Sequence, residues 1–75
     1  MSQYLTFVRH LPPGRATSIT NVESKSSGAL LGQIRWHGPW RQYCFMPEPR
    51  TIFNIGCMAD IEHQIGELMA ERRVA

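Results

Sequence analysis

Apolar residues in the last third of the chain recur at helical spacing. Met58, Ile61, Ile65, Leu68 and Met69 share one stripe, while Asp60, His63, Glu67 and Glu71 fall largely elsewhere on the wheel. The pattern predicts a helix over 54–73. Asn54 is a suitable N-cap, because its side-chain oxygen can accept from a first-turn N–H. Acidic residues sit early and Arg72 and Arg73 sit last, which suits the helix dipole. Gly66 interrupts this helix and costs about 1 kcal/mol relative to alanine. It either permits a close backbone approach or is simply tolerated.

Upstream the period changes from helical to alternating. Three β segments are predicted, at 17–24 (TSITNVES), 30–37 (LLGQIRWH) and 40–47 (WRQYCFMP). KSSG at 25–28 and Gly38-Pro39 supply the turns between them, and Pro47 and Pro49 stop the third. YLTFV near the N-terminus forms either a fourth, edge strand or an apolar strap, set apart by LPPG at 11–14.

With Gly38-Pro39 at the tip of the hairpin, His37 faces Trp40, Trp36 faces Arg41, Arg35 faces Gln42 and Ile34 faces Tyr43. Gln33 then faces Cys44, Gly32 faces Phe45 and Leu31 faces Met46. Facing residues share a side of the sheet and successive ones alternate. One side collects Leu30, Gly32, Ile34, Trp36, Tyr43 and Phe45, with Arg41 at its rim, and is expected to lie beneath the helix. The other carries Gln33, Arg35, His37, Trp40 and Gln42, with an apolar end of Leu31, Cys44 and Met46. A four-residue loop at 37–40 keeps the same parity, whereas a one-residue slip swaps the faces. Carrying the register across KSSG puts Ile19 beside Ile34 in the core and Ser18 and Thr20 on the outer side. Glycine opposite Phe45 allows the ring to lie over that position.

The expected fold is therefore α+β: a three-stranded antiparallel meander, with the option of a fourth N-terminal edge strand, packed against one C-terminal helix. One domain spans 1–75, divided into the strap or edge strand at 1–15, the sheet at 16–48 and the helix at 54–73. Seventy-five residues, 43% of them hydrophobic, suffice for one small core but leave little room for a cofactor pocket. No stretch resembles a signal peptide or membrane span, and two unpatterned cysteines are not a disulfide framework, so a cytoplasmic protein is expected. The charge is uneven. Six basic residues against two acidic ones make residues 1–53 +4, whereas four acidic against two basic make residues 54–75 −2. Anionic partners should prefer the first part.

Arg35, His37, Trp40, Arg41 and Gln42 form the candidate binding set. A cation, an imidazole, a large ring and an amide on one surface match the composition of protein hot spots. They also suit nucleic acid, with arginine for phosphates or base edges and rings for stacking. Against this stands a structural alternative. Trp36 and Tyr43 fill the core, Arg35 is a solvated strand residue, and Trp40 covers the hairpin end or lies under the strap. The apolar end of the outer face would then be covered by Tyr4, Leu5, Phe7 or Val8.

Three histidines and two cysteines show no metal-ligand spacing, so no metal or other cofactor is expected. Cys57 near a helix start invites the question of a reactive thiol, but it lies on the apolar stripe with no acid or oxyanion partner evident. No catalytic residue is identified, and an enzyme is not expected.

LGQIRWHGPWRQYCFMPEP followed by TIFNIGCMADI resembles a group of small, mostly uncharacterised proteins of phage and prophage genomes. They share an LG-x-I-x-W element, a W-R-x-Y-x-F-x-P strand, and a T-x-F segment before a C-x-x-D-I helix start. The likeness covers roughly residues 28–65. It implies a viral origin and no catalytic assignment. By analogy alone, the architecture is similar to the three-strand-plus-helix DNA-binding domains of plant transcription factors and integrase arms. Two functions follow as expectations. One is an inhibitor or adaptor, of the anti-defence or anti-CRISPR kind, that docks on a host protein or nucleoprotein complex. The other is a nucleic-acid-binding accessory module. Either would act as a monomer or a homodimer, without a membrane.

Overall fold

A computed structural model describes residues 3–74, without the side chains of 73 and 74. Arg73, expected beside Arg72 at the helix end, is therefore outside the described side chains, as are the first two residues of the N-terminal segment. Four strands, β1 (Leu5–His10), β2 (Ile19–Ser24), β3 (Leu30–His37) and β4 (Gln42–Pro47), precede one helix, α1 (Ile55–Val74). The strands form an antiparallel meander in the order β1-β2-β3-β4, with α1 across one face. The N-terminal segment is thus a paired edge strand.

The β3–β4 hairpin keeps the expected faces but not the expected pairs. Trp36 pairs with Tyr43, His37 with Gln42, Arg35 with Cys44 and Ile34 with Phe45, a shift of two residues. The turn explains it. Gly38–Trp40 forms a 3-10 turn that Arg41 closes in the left-handed region at φ 52°, its N–H bonded to the Gly38 carbonyl. Proline at the start of that turn fixes its φ and has no donor to lose. Trp40 and Arg41 therefore belong to the turn and not to the strand, and Arg41 does not face Trp36. An even slip preserves parity, so Ile34 and Tyr43 still point into the core.

The β2–β3 register, by contrast, inverts one expectation. Thr20 pairs with Ile34 and Val22 with Gly32, and a bulge between Val22 and Glu23 then places Glu23 opposite Leu30. The extra β3 residue is Leu31, which turns inward against the core while Leu30 is exposed. Because of this bulge Ser18 and Thr20 lie on the buried face and Ile19 on the outer one. Leu5 and Phe7 of β1 also face the core, whereas Val8 stands on the outer side and Tyr4 is exposed just before the strand.

Leu5, Val22, Ile34, Tyr43, Cys57, Ile61 and Leu68 make the core. Gly32 is required there: an added Cβ would lie 2.7 Å from the Phe45 ring and 2.8 Å from the Met46 carbonyl oxygen. The ring covers Gly32 as expected, although the direct partner of Gly32 is Pro47.

Asn54 caps α1. Its Oδ1 accepts from Cys57 N–H at 2.8 Å and its carbonyl from Met58 N–H at 3.0 Å. Asn54→Ala is expected to lower stability by about 1 kcal/mol, read as a lower denaturant midpoint with unchanged slope. The first turn itself carries no acidic residue, so the expected early acids begin only at Asp60. Met58 lies outside the buried stripe, on an exposed side of the helix.

Two contacts tie the far end of α1 to the sheet. Arg9 donates to both carboxylate oxygens of Glu71, at 3.0 and 2.8 Å, and its Nε to Ser18 Oγ at 3.2 Å. The Arg72 guanidinium lies 4.0 Å from the centroid of the Trp36 ring, which meets Tyr43 edge-on at 5.3 Å. Hydrogen bonding to Arg9 holds the Glu71 carboxyl below its ordinary range, and the same bond raises the Arg9 pKa. A lowered carboxyl pKa stabilises the fold above its unfolded value of about 4.3 and loses that contribution as pH falls. Arg9→Gln should therefore flatten the acid side of the stability–pH curve relative to wild type, by a small amount because both groups are half exposed. Equal slopes below pH 5 would show that the pair contributes nothing.

Candidate functional site: the open face of the sheet

Since α1 covers one face only, the other is an open four-stranded surface. Strand alternation and the strand register define it row by row. Val8, Asn21, Gln33 and Met46 stand abreast across all four strands, with Gln33 Nε2 donating to Asn21 Oδ1 at 2.9 Å. His10 pairs with Ile19 and Arg35 with Cys44 in the adjoining row, and His37 pairs with Gln42 beyond it. The middle of the face is half-buried by its own neighbours, which is ordinary for side chains standing side by side on a sheet.

The turn completes the surface. Trp40 is 66% exposed, and its ring stands edge-on against His37 at 5.0 Å. Structure and sequence therefore agree that Arg35, His37 and Gln42 share the outer face and that Trp40 adjoins it. Trp40 reaches it from the turn and not as a strand partner of His37. Arg41 is exposed at the tip, apart from the strand rows. At the apolar end of the face Leu30 replaces Leu31, which turns inward, beside Cys44 and Met46.

Sequence reasoning did not find Asn21, Ile19 or His10 on this surface. Placing the first two needs the bulge, and placing His10 needs β1 to pair in register. No run of residues announces either.

The face thus presents a guanidinium, an imidazole, an indole and side-chain amides. Among the described residues no cluster of three or more His, Cys, Asp or Glu could hold a metal ion. Cys57 is buried, and its N–H, not its thiol, makes the contact with Asn54. The described helix is not long and apolar enough to cross a membrane.

The chain is 35% identical over 72 residues to an "Uncharacterized 9.3 kDa protein" of Acholeplasma phage L2, an alignment covering 96% of this chain and 92% of that one. It belongs to that phage protein's family. The match runs through β1 and β2 as well as the hairpin and helix, so the relationship covers the whole domain, whereas the motif resemblance spanned roughly residues 28–65. No protein-family model matches the chain, and no solved structure matches it.

Proposed function

We propose that this phage-family protein is a small non-enzymatic docking module, acting in the host cytoplasm as an inhibitor or adaptor of a host protein or nucleoprotein complex. One observation supports the reading above all. A large, well-exposed tryptophan is held against His37 at the border of an uncovered sheet face that also carries Arg35 and Gln42. Water-exposed Trp40 contributes nothing to the core, whereas tryptophan and arginine at the centre of an interface supply most of its binding energy. Gln33, Asn21 and Gln42 add hydrogen-bonding groups around the anchor without a high charge density.

A nucleic-acid partner is the second reading, favoured by the charge partition. Arg35 and Arg41 belong to the hairpin, while Glu62, Glu67 and Glu71 lie on the helix behind the sheet. Capture of partners from host lysate, with and without nuclease, separates the two. The docking reading expects a protein retained after nuclease, with Trp40→Ala reducing capture at least about tenfold, equivalent to about 1.4 kcal/mol, and Arg35→Glu reducing it less. Loss of all partners on nuclease treatment, together with steep salt dependence and the reverse order of the two variants, would assign the face to nucleic acid.

A further inference from the structure

We infer that a second copy of this chain covers the apolar surface at the start of α1, forming a two-fold dimer on the side away from the open sheet face. The surface has two parts. One is a groove of about 420 Å³ between α1 and β4, walled by Phe45, Pro47, Phe53, Met58, Ile61 and Ile65. Phe45 and Phe53 meet edge-on at 5.1 Å beside it. The other is a row of protruding side chains, with Ile52 93%, Ile55 84% and Met58 55% exposed. Ile55 and Met58 are three residues apart and so share a helix face, which continues through Glu62 to Ile65. Knobs and groove are thus parts of one surface.

A 75-residue chain with a small core gains from every large apolar side chain it buries, yet Ile52, Ile55 and Met58 remain in water beside an apolar groove. Lone exposed apolar residues are common on protein surfaces, but a row adjoining a groove is the pattern of an interface. Strand addition to β4 is discouraged. Tyr43 N–H already points to Met69 Sδ at 3.4 Å, and Pro47 has no N–H to offer. Contact through the helix side remains.

Self-complementarity selects the occupant. A surface that carries both knob and groove closes on itself by a two-fold rotation. With the axis at Met58 and the helices antiparallel, residues equally far before and after it oppose each other. Asn54 at the helix start then lies level with the second copy's Glu62. Glu62 is the one charged residue lining the groove among the described residues, and the first turn of α1 has no acidic side chain of its own. Each copy's Glu62 then supplies a carboxylate to the positive end of the other's helix, a favourable charge arrangement that a foreign partner would have to reproduce. Both open sheet faces remain free, so the dimer presents two docking surfaces. The inference does not depend on what those surfaces bind.

Sedimentation velocity of the full chain across a concentration series tests this. The mass should rise from monomer toward dimer with concentration, Met58→Glu should remain monomeric with unchanged circular dichroism and lose the concentration dependence of the wild-type melting, and Glu62→Lys should weaken association about tenfold. A residue on a two-fold axis meets its own copy, so Met58→Cys in a Cys44→Ser chain should form an intermolecular disulfide on mild oxidation, within the reach such bonds demand. This readout holds even if Met58→Glu fails to fold. A wild-type chain that stays monomeric throughout, including one whose groove instead binds an apolar peptide, would overturn the inference. So would a dimer insensitive to Met58→Glu that gives no Met58→Cys cross-link.

Discussion

Ile34→Ala is expected to lower the stability of the domain by about 2–5 kcal/mol, the range for removing a large aliphatic side chain from a packed core. Ile34 is completely buried, stands between Thr20 and Phe45 in the central strand, and belongs to the cluster that joins the sheet to Cys57, Ile61 and Leu68 of α1. Domains have roughly 0.05–0.15 kcal/mol of stability per residue, or about 4–11 kcal/mol for a chain of this length. The substitution therefore removes a large fraction of the total, and the upper end of the range leaves the chain mostly unfolded. Ile34→Val, which deletes one methylene, should cost only about 0.5–1.5 kcal/mol. Urea unfolding of both variants checks the pair. A loss below about 1 kcal/mol for alanine would show that the sheet and helix do not pack through this residue.

The second large effect has an unexpected sign. Glycine inside a strand ordinarily costs stability, and by that rule alone Gly32→Ala would improve β3 by about 0.5–1 kcal/mol. Here it should instead destabilise by about 1–3 kcal/mol, the range for overpacking. The new methyl group would meet two obstacles, the Phe45 ring at 2.7 Å and the Met46 carbonyl oxygen at 2.8 Å. A ring can turn aside, but a backbone carbonyl in a paired strand cannot. Phe45→Leu in the same chain should consequently restore only part of the loss, and full rescue would mean that the carbonyl contact relaxes. Thermal unfolding resolves these differences, since about 1 kcal/mol shifts the midpoint of a domain this small by about 4–8 °C.

How much of this was legible in the sequence depends on the kind of signal each element carries. Helix α1 and its cap were readable because the period and the Asn54 signal are local, and they agree with the structure to within one residue at each end. Hairpin faces were readable for a different reason. Side-chain direction depends only on parity, so a turn two residues longer than assumed moved every pair and left Arg35, His37 and Gln42 outside and Ile34 and Tyr43 inside. The β2 strand had no such protection. One extra residue at Leu31 reversed its parity, moved Ser18 and Thr20 inward, and exchanged the roles of Leu30 and Leu31. Nothing in TSITNVES distinguishes a bulged pairing from a regular one.

Long-range polar contacts were the least legible. Arg9 and Glu71 are 62 residues apart, and they meet only because β1 and the last turns of α1 converge at one edge of the molecule. The same convergence sets Arg72 over Trp36. As for the candidate site, its chemistry was visible in IRWHGPWRQYCF, but its extent was not. Asn21, Ile19 and His10 join it through pairings that belong to the whole sheet.

The uncovered sheet face is proposed to make the functional contact. Nitrogen-resolved NMR of the labelled protein, titrated with the partner recovered from host lysate, tests it directly. The Trp40 indole signal and the amides of Arg35, His37, Gln42 and Cys44 should shift or broaden first, while those of Cys57, Ile61 and Leu68 in the core should not. Perturbations confined to α1, with the Trp40 indole unchanged at saturation, would contradict it.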